Sequence, residues 1–570
     1  MVVTPTRDDN FLKLITKLRL IPKASQALCA EGRQLRFGIQ SLLATVQGFG
    51  YHRAAYEFHP NLISFLMANE QDSNSTSFFG HPRGLATLFF TEMWERFSYY
   101  GMRAILVLFM VDAINTGGLG LDDKTATAIY GLYTMFVYLL ALPGGWLADK
   151  FMGLRNAIWY GGIIIAAGHF AMAIPTDQTF YLGLVLIVIG TGFLKPNISS
   201  IVGGLYSDNE SARRDAGFSI FYMGINIGAF IAPIATGWLG ESINWHYGFG
   251  LAGVGMVLGL VQYKITEHYL GDVGVLPEQL DDPEKQAKRH SRIKNALWII
   301  GIALTAFIGL VMAGTITIDP VAIADASGVI IFGLVIAYFV YVFVAEELTT
   351  DQKKKIGVIA ALFVFSAIFW SGFEQAGSSL NLFAERYTDR LMFGWEMPAS
   401  WLQSVNAFFI ITLAPVFGWL WVWLAKRTLE PSTPVKFALG LIFLGVGFLV
   451  MMFASYYVVD GNQVLPTWLI MTYLFHTIGE LCLSPVGLSA VTKLAPKKLV
   501  GQMMGIWFMS IAFGNLIAGR VAGQFNQEDI AADPGLLPDL FWIIVITTVG
   551  GGLVMLLLSK PIRKLMGNVR

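Results

Sequence analysis

The 570-residue chain has two cysteines, Cys29 and Cys482, too few for a disulfide framework. Charged residues make up only 14% of it, and the formal net charge is zero. That balance argues against a nucleic-acid partner. No metal-ligand spacing and no phosphate-binding glycine loop of the Walker type occurs, so no metal or nucleotide cofactor is expected. Any uphill work would then draw on an ion gradient. No nucleophile–base pair emerges either, which makes an enzyme the weakest reading. What remains is apolar: 55% hydrophobic residues and a mean hydropathy of +0.58. This is the composition of a chain that crosses a bilayer many times.

Residues 1–77 differ from the rest. They carry Lys and Arg throughout and no run long enough to span a membrane. Phe58–Met67 lacks the apolar core and cleavage site of a signal peptide. Two readings stand. Met67, followed by ANEQDSNSTS, is the true start and residues 1–66 are an over-extended reading frame, or the segment is a real amphipathic or disordered extension. The intact mass of natively expressed protein separates them.

From Gly80 onward, length and hydropathy give about fourteen spanning candidates, near 83–112, 126–147, 156–174, 180–202, 216–238, 247–264, 295–314, 327–346, 355–382, 399–425, 436–458, 465–493, 500–525 and 539–559. Lys and Arg concentrate in every second connection, from Asp149–Arg155 to Lys493–Lys498, and in the C-terminal tail. The positive-inside rule makes that side cytoplasmic, with both termini on it.

One span departs from the pattern. Glu92–Arg103 reads EMWERFSYYGMR, and Glu92, Glu95, Arg96, Tyr99, Tyr100 and Arg103 share one helical face. Each ionisable group would cost about 2.5–3.5 kcal/mol near the bilayer centre. Such a face needs a water-filled cavity, partners on other helices, or both. A face that only locks helices together is the bland alternative. Three further charges fall within spans: Lys195 in GFLKPN, Glu374 in FWSGFEQAGSSLNLF and Glu480 in GELCLSPVGLS. The bland readings are a snorkelling lysine at Lys195 and a loop-edge carboxylate at Glu374. Arg520, near the outer end of its span, reads as snorkelling. Four carboxylates face three cations in this set, so one carboxylate is left to bind a proton or a ligand cation. Cations near Arg96 and Lys195 with a separate carboxylate suit a zwitterion.

The connection ending at Arg155 reads GGWLADKFMGLR and resembles the loop between helices 2 and 3 of major facilitator transporters. Glu92-x-x-Glu95-Arg96-Phe97-x-Tyr99-Tyr100 is similar to the first-helix signature of the proton-dependent oligopeptide transporter family. Phe221–Phe230, FYMGINIGAF, resembles its fifth-helix signature, and GFLKPN and GELCLSPVGLS follow in the expected order. The resemblance covers about residues 78–560. It implies an all-α membrane protein of the major facilitator fold, with two six-helix bundles at 78–264 and 351–570. The linker and an inserted two-helix hairpin would occupy 265–350, as in prokaryotic members; the short Asp460–Pro466 connection lacks the large insert of animal members.

The resemblance also implies roles. Arg96, Tyr100 and Lys195 would bind a peptide carboxylate, and Asn226, Asn406 and Glu480 its amino end. Tyr99, Tyr138 and Trp507 would line side-chain pockets. Glu92 and Glu95, interacting with Arg96 and Lys195, would carry proton linkage together with Glu374. Arg103 and Glu374 would form a gating pair. The expected activity is proton-coupled import of di- and tripeptides through the cytoplasmic (inner) membrane, by a monomer, with protons as the coupling ion. Carriage of nitrate or another small metabolite, and a peptide sensor that moves nothing, are the alternatives. Acidic Glu480 argues against a simple anion.

Overall fold

The computed structural model describes residues 78–207, 209–275, 278–280 and 282–567. Phe78–Arg570 form a unit of their own. Cys29 and the start expected at Met67 lie outside the described residues.

Lipid offers no hydrogen bonds to a backbone, so the apolar runs close their own bonds as helices. Fourteen long helices occur among the described residues. The first six are α1 (Arg83–Val111), α2 (Asp123–Leu139), α3 (Leu154–Met172), α4 (Asp177–Gly204), α5 (Ser211–Ser242) and α6 (Trp245–Thr266). A hairpin follows, α7 (Pro283–Met312) and α8 (Pro320–Ala345). The last six are α9 (Thr350–Phe373), α10 (Ser404–Lys426), α11 (Thr433–Val459), α12 (Thr467–Leu494), α13 (Val500–Ala522) and α14 (Leu536–Met566). Among the described residues, twelve spans are long and apolar enough to cross a membrane. The other two helices are α1, with its buried charges, and α3, 19 residues long.

Polar residues between the runs act as caps. Asp122, Thr176, Asn244 and Asp319 each accept from a backbone N–H in the first turn that follows. Thr349 and Gln352 form a capping box. The same device moves α7 well ahead of its expected start near residue 295. Asp282 accepts from the N–H groups of Glu284 and Lys285, Pro283 opens the helix, and Lys288 pairs with Glu284 one turn back at 2.5 Å. Hydropathy sees only the part of a helix that lipid covers, so the charged first turns read as linker.

In the first bundle α1 packs on α5 and α6, and α3 on α4 and α6. In the second, α11 packs on α12 and α14, and α9 on α13 and α14. The bundles meet along α2–α13 and α5–α10. At the α2–α13 crossing a methyl group on Gly519 would stand 2.5 Å from the Thr127 carbonyl oxygen and 2.7 Å from the Gly131 Cα. Gly519→Leu should therefore force the helices apart, at about 1–3 kcal/mol for overpacking. Thermal unfolding of the purified variant should show a clearly lower Tm; an unchanged Tm would mean that the crossing yields freely.

Helix α8 lies against α2 and α13, outside both bundles. Helix α7 keeps Trp298, Ile299, Ile300 and Ile302 exposed, as a helix facing lipid on several sides would. The hairpin corrects one expectation. Its second helix begins at Pro320 and so includes Asp325, whose carboxylate accepts from Arg520 at 2.7 and 3.1 Å. Arg520 is held in a pair rather than snorkelling alone.

Alternation of the helices gathers the Lys- and Arg-rich connections at one end of the molecule, termed here the basic face. Two of them touch there: Arg155 donates to the carbonyls of Gly271 and Val273, and Lys150 pairs with Glu278.

A charged site between the two helix bundles

Helix α1 stands at the centre because it packs on its own bundle and presents its charged face to the other. Glu92, Glu95 and Arg96 are all buried. Arg96 donates to both oxygens of Glu95, the second at 2.6 Å, and its Nε lies 3.2 Å from Glu92 Oε1. Glu92 Oε2 is buried with no hydrogen-bond partner. Tyr99 lies under the Arg96 guanidinium, 5.0 Å from ring centroid to Cζ, and stacks on Tyr133. Sequence reasoning does not single out Tyr133, because an aromatic position in an apolar span carries no signal of its own.

Nearer the other end of α1, Arg103 Nη2 lies 2.9 Å from Glu374 Oε2, across the bundle boundary. The contact is charge to charge, since Glu374 Oε2 and Arg103 Nε are both without a hydrogen bond. The rings of Tyr100 and Tyr130 flank the guanidinium at 5.5 and 5.9 Å. Glu374 starts a one-turn 3-10 segment, Glu374–Gly377, that follows α9.

Lys195 lies one residue before Pro196, inside α4. Its Nζ sits 3.8 Å from the Tyr138 ring centroid, a cation–π contact that spacing alone could not forecast. In the second bundle Asn406 Nδ2 donates to Thr477 Oγ1 at 2.9 Å and to Glu480 Oε2 at 3.4 Å. Asn226 turns its amide onto the Tyr222 carbonyl of its own helix at 2.9 Å and does not join that network. Trp507 is buried against Gly487 and Phe437, within the second bundle.

Among the described residues, five of the seven charges gathered in this set form ion pairs: Glu92, Glu95, Arg96, Arg103 and Glu374. Lys195 and Glu480 form none within that set. They are of opposite sign and belong to different bundles.

Polar bonds between the bundles cluster on the side away from the basic face. Arg386 donates twice to Asp123, at 2.7 and 2.9 Å, and the Gln527 N–H bonds the same carboxylate. Glu241 accepts from the N–H groups of Ala399 and Ser400 at 2.6 and 3.1 Å. Trp401 donates to the Ile234 carbonyl, and Asn381 and Gln403 both donate to that of Ala104. Among the described residues no polar bond joins the two bundles at the basic face. These closing residues sit at span edges, where charge is ordinary, and their partners lie hundreds of positions away.

The arrangement therefore holds a dense ion-paired cluster on α1, two uncompensated charges on opposite bundles, and a polar seal at one end. A model of the POT family matches residues 155–543. The chain is 44% identical to "Peptide transporter YePEPT" of Yersinia enterocolitica over 87% of its own length and 97% of that protein. It is 38% identical to the "Di-/tripeptide transporter" of Lactococcus lactis subsp. cremoris, covering 88% of this chain and 100% of that one. Among solved structures, the peptide transporter POT in complex with sulfate superposes with a TM-score of 0.78 at 42% identity, over 86% of this chain and 97% of that one. These likenesses set the protein among multi-pass membrane transporters rather than enzymes: it belongs to the POT family.

Proposed function

We propose that the protein is a proton-coupled symporter that moves di- and tripeptides by alternating access. The observation that carries the reading is the pair of uncompensated charges, Lys195 on one bundle and Glu480 on the other. A free peptide is a zwitterion, and its two ends offer the counter-charges. Lys195, with Arg96 and Tyr100 beside it on the first bundle, takes the carboxylate. Glu480, already oriented by Asn406, takes the ammonium. Asn226 completes the amino-end site by turning away from Tyr222, and Tyr99, Tyr138 and Trp507 line the side-chain space. An extended residue spans about 3.3–3.6 Å, so two fixed end sites suit short peptides. The relatives named as peptide and di-/tripeptide transporters support the same substrate.

Protons enter through the carboxylates. In the described state Glu95 and Glu92 hold Arg96, and Glu374 holds Arg103. Protonation of Glu95 or Glu374 releases its basic partner, so that proton and peptide bias one two-state element. The bundles then rock about the midplane site. The described state, sealed by Arg103–Glu374, Asp123–Arg386 and Glu241, is the one closed on the side away from the basic face. The Lys and Arg distribution supports a cytoplasmic basic face, with both ends of the chain on that side of the cytoplasmic membrane. A monomer contains every group the cycle uses, and no cofactor beyond protons enters it.

Glu480→Ala tests the amino-end contact. A charge-assisted bond contributes about 1.5–3 kcal/mol, so peptides with a free amino end should lose about ten- to a hundredfold in affinity. N-acetylated peptides should lose little. Equal loss for both in a competition assay would remove Glu480 from that role.

A further inference from the structure

A second charged site lies at the basic face, away from the bundle boundary. Its cavity, about 360 Å³, is lined by Trp146, Lys285, Lys288, Arg289, Arg292 and Ile293. The four cations stand at i, i+3, i+4 and i+7 on α7 and so share one face. The wall opposite is the end of α2's continuation, Ala141–Leu147, which carries Trp146. The two walls are fixed to each other. The Glu278 N–H donates to the Asp149 carbonyl at 2.6 Å, Lys150 pairs with Glu278, and Phe151 meets the His290 ring edge-on at 5.5 Å.

The charge of this cavity is not cancelled. Lys288 is held by Glu284, and Lys285 lies 3.5 Å from Asp282. Arg289 spends one nitrogen on the Glu278 carbonyl and Gln286, and its Nε is buried without a partner. Among the described residues Arg292 forms no ion pair, and no carboxylate lines the cavity. The whole guanidinium fork of Arg292 and the remaining Nη1 of Arg289 are therefore left for a planar or tetrahedral oxyanion.

Depth says where that oxyanion comes from. Helix α7 carries its last charge at Lys294, and from Ala296 to its end at Met312 it has none. A helix rises 1.5 Å per residue, so Arg292 to Lys285 occupy a band about 10 Å deep just beyond the hydrocarbon edge. That band is the headgroup layer. Trp146 and Trp298, 54% and 64% exposed, sit as interfacial aromatics do. Beyond the cavity, Trp298, Ile299 and Ile302 offer an exposed apolar track along which acyl chains can lie. A soluble phosphate ester has no use for that track.

We infer that this cavity binds the phosphodiester headgroup of one anionic phospholipid, with Arg289 and Arg292 on the phosphate and Lys285 and Lys288 at its rim. The lipid fastens the start of the hairpin to the end of α2. The inference does not depend on the substrate the bundles carry.

The test uses the full-length protein, purified and then relipidated with mixtures of phosphatidylglycerol and phosphatidylcholine, with retained lipid counted by native mass spectrometry. The wild type should keep one tightly held phosphatidylglycerol, preferred about tenfold or more over phosphatidylcholine. The triple variant K288Q/R289Q/R292Q should lose that preference. A thermal unfolding transition matching that of the wild type shows that the triple variant is folded. Equal retention of both lipids by the wild type, or an unchanged preference in the folded triple variant, overturns the inference. Displacement of the lipid by glycerol phosphate at matching concentration also overturns it, because the ligand would then be a soluble anion.

Discussion

Replacing Glu95 by Gln should abolish proton-driven accumulation of dialanine while sparing exchange across the membrane. Gln keeps the size of the side chain and removes its charge, so the helix loses little packing. The buried Arg96 loses a carboxylate that holds two of its nitrogens and keeps only Glu92, 3.2 Å away. The variant thus resembles the proton-loaded state permanently. One elementary charge crossing about 100 mV supplies about 2.3 kcal/mol, or about fiftyfold accumulation per proton. That gain is what the variant should forfeit. Reconstituted vesicles loaded with unlabelled dialanine should still exchange it for labelled peptide at a measurable rate. Accumulation equal to the wild type would remove Glu95 from the coupling.

The second large effect belongs to Arg103 and Glu374. Both are buried, at 6% and 3% exposure, and they join the bundles directly. Removing one partner of a buried pair leaves an uncompensated charge, at about 3–5 kcal/mol. Arg103→Ala and Glu374→Ala should each cut uptake more than about tenfold, because the closed state that the pair stabilises becomes scarce. The charge swap R103E/E374R should recover part of the lost uptake. Full recovery is not expected, since Tyr100 and Tyr130 flank a cation at position 103 and would flank an anion in the swap. Uptake by the swapped protein no better than by either single variant would show that the two residues act separately.

The fold was legible wherever lipid dictates sequence. Long apolar runs have few alternatives to helices in a bilayer, and the charged face of α1 stood out because charge there is costly. What hydropathy could not show is any helix that extends beyond lipid. The Pro283–Asn295 turns of α7 are charged, and their helical state rests on the Asp282 cap and the Glu284–Lys288 pair. The site divides in the same way. Glu95, Arg96, Lys195 and Glu480 announce themselves as charges within spans. Asp123, Glu241 and Arg386, which seal one end, lie where polar residues are ordinary, and their partners are set by tertiary packing. Contacts of character rather than charge, such as Lys195 over Tyr138 and Trp507 against Gly487, need coordinates.

In this mechanism a proton gradient drives a zwitterionic peptide through the site between the bundles. It is tested most directly by uptake of labelled dialanine into liposomes holding the purified protein, under an inside-negative potential and an acidic exterior, with and without a protonophore. Dialanine should accumulate above its external concentration, and the protonophore should abolish that accumulation. Binding of dialanine without accumulation, or accumulation indifferent to the protonophore, would contradict it.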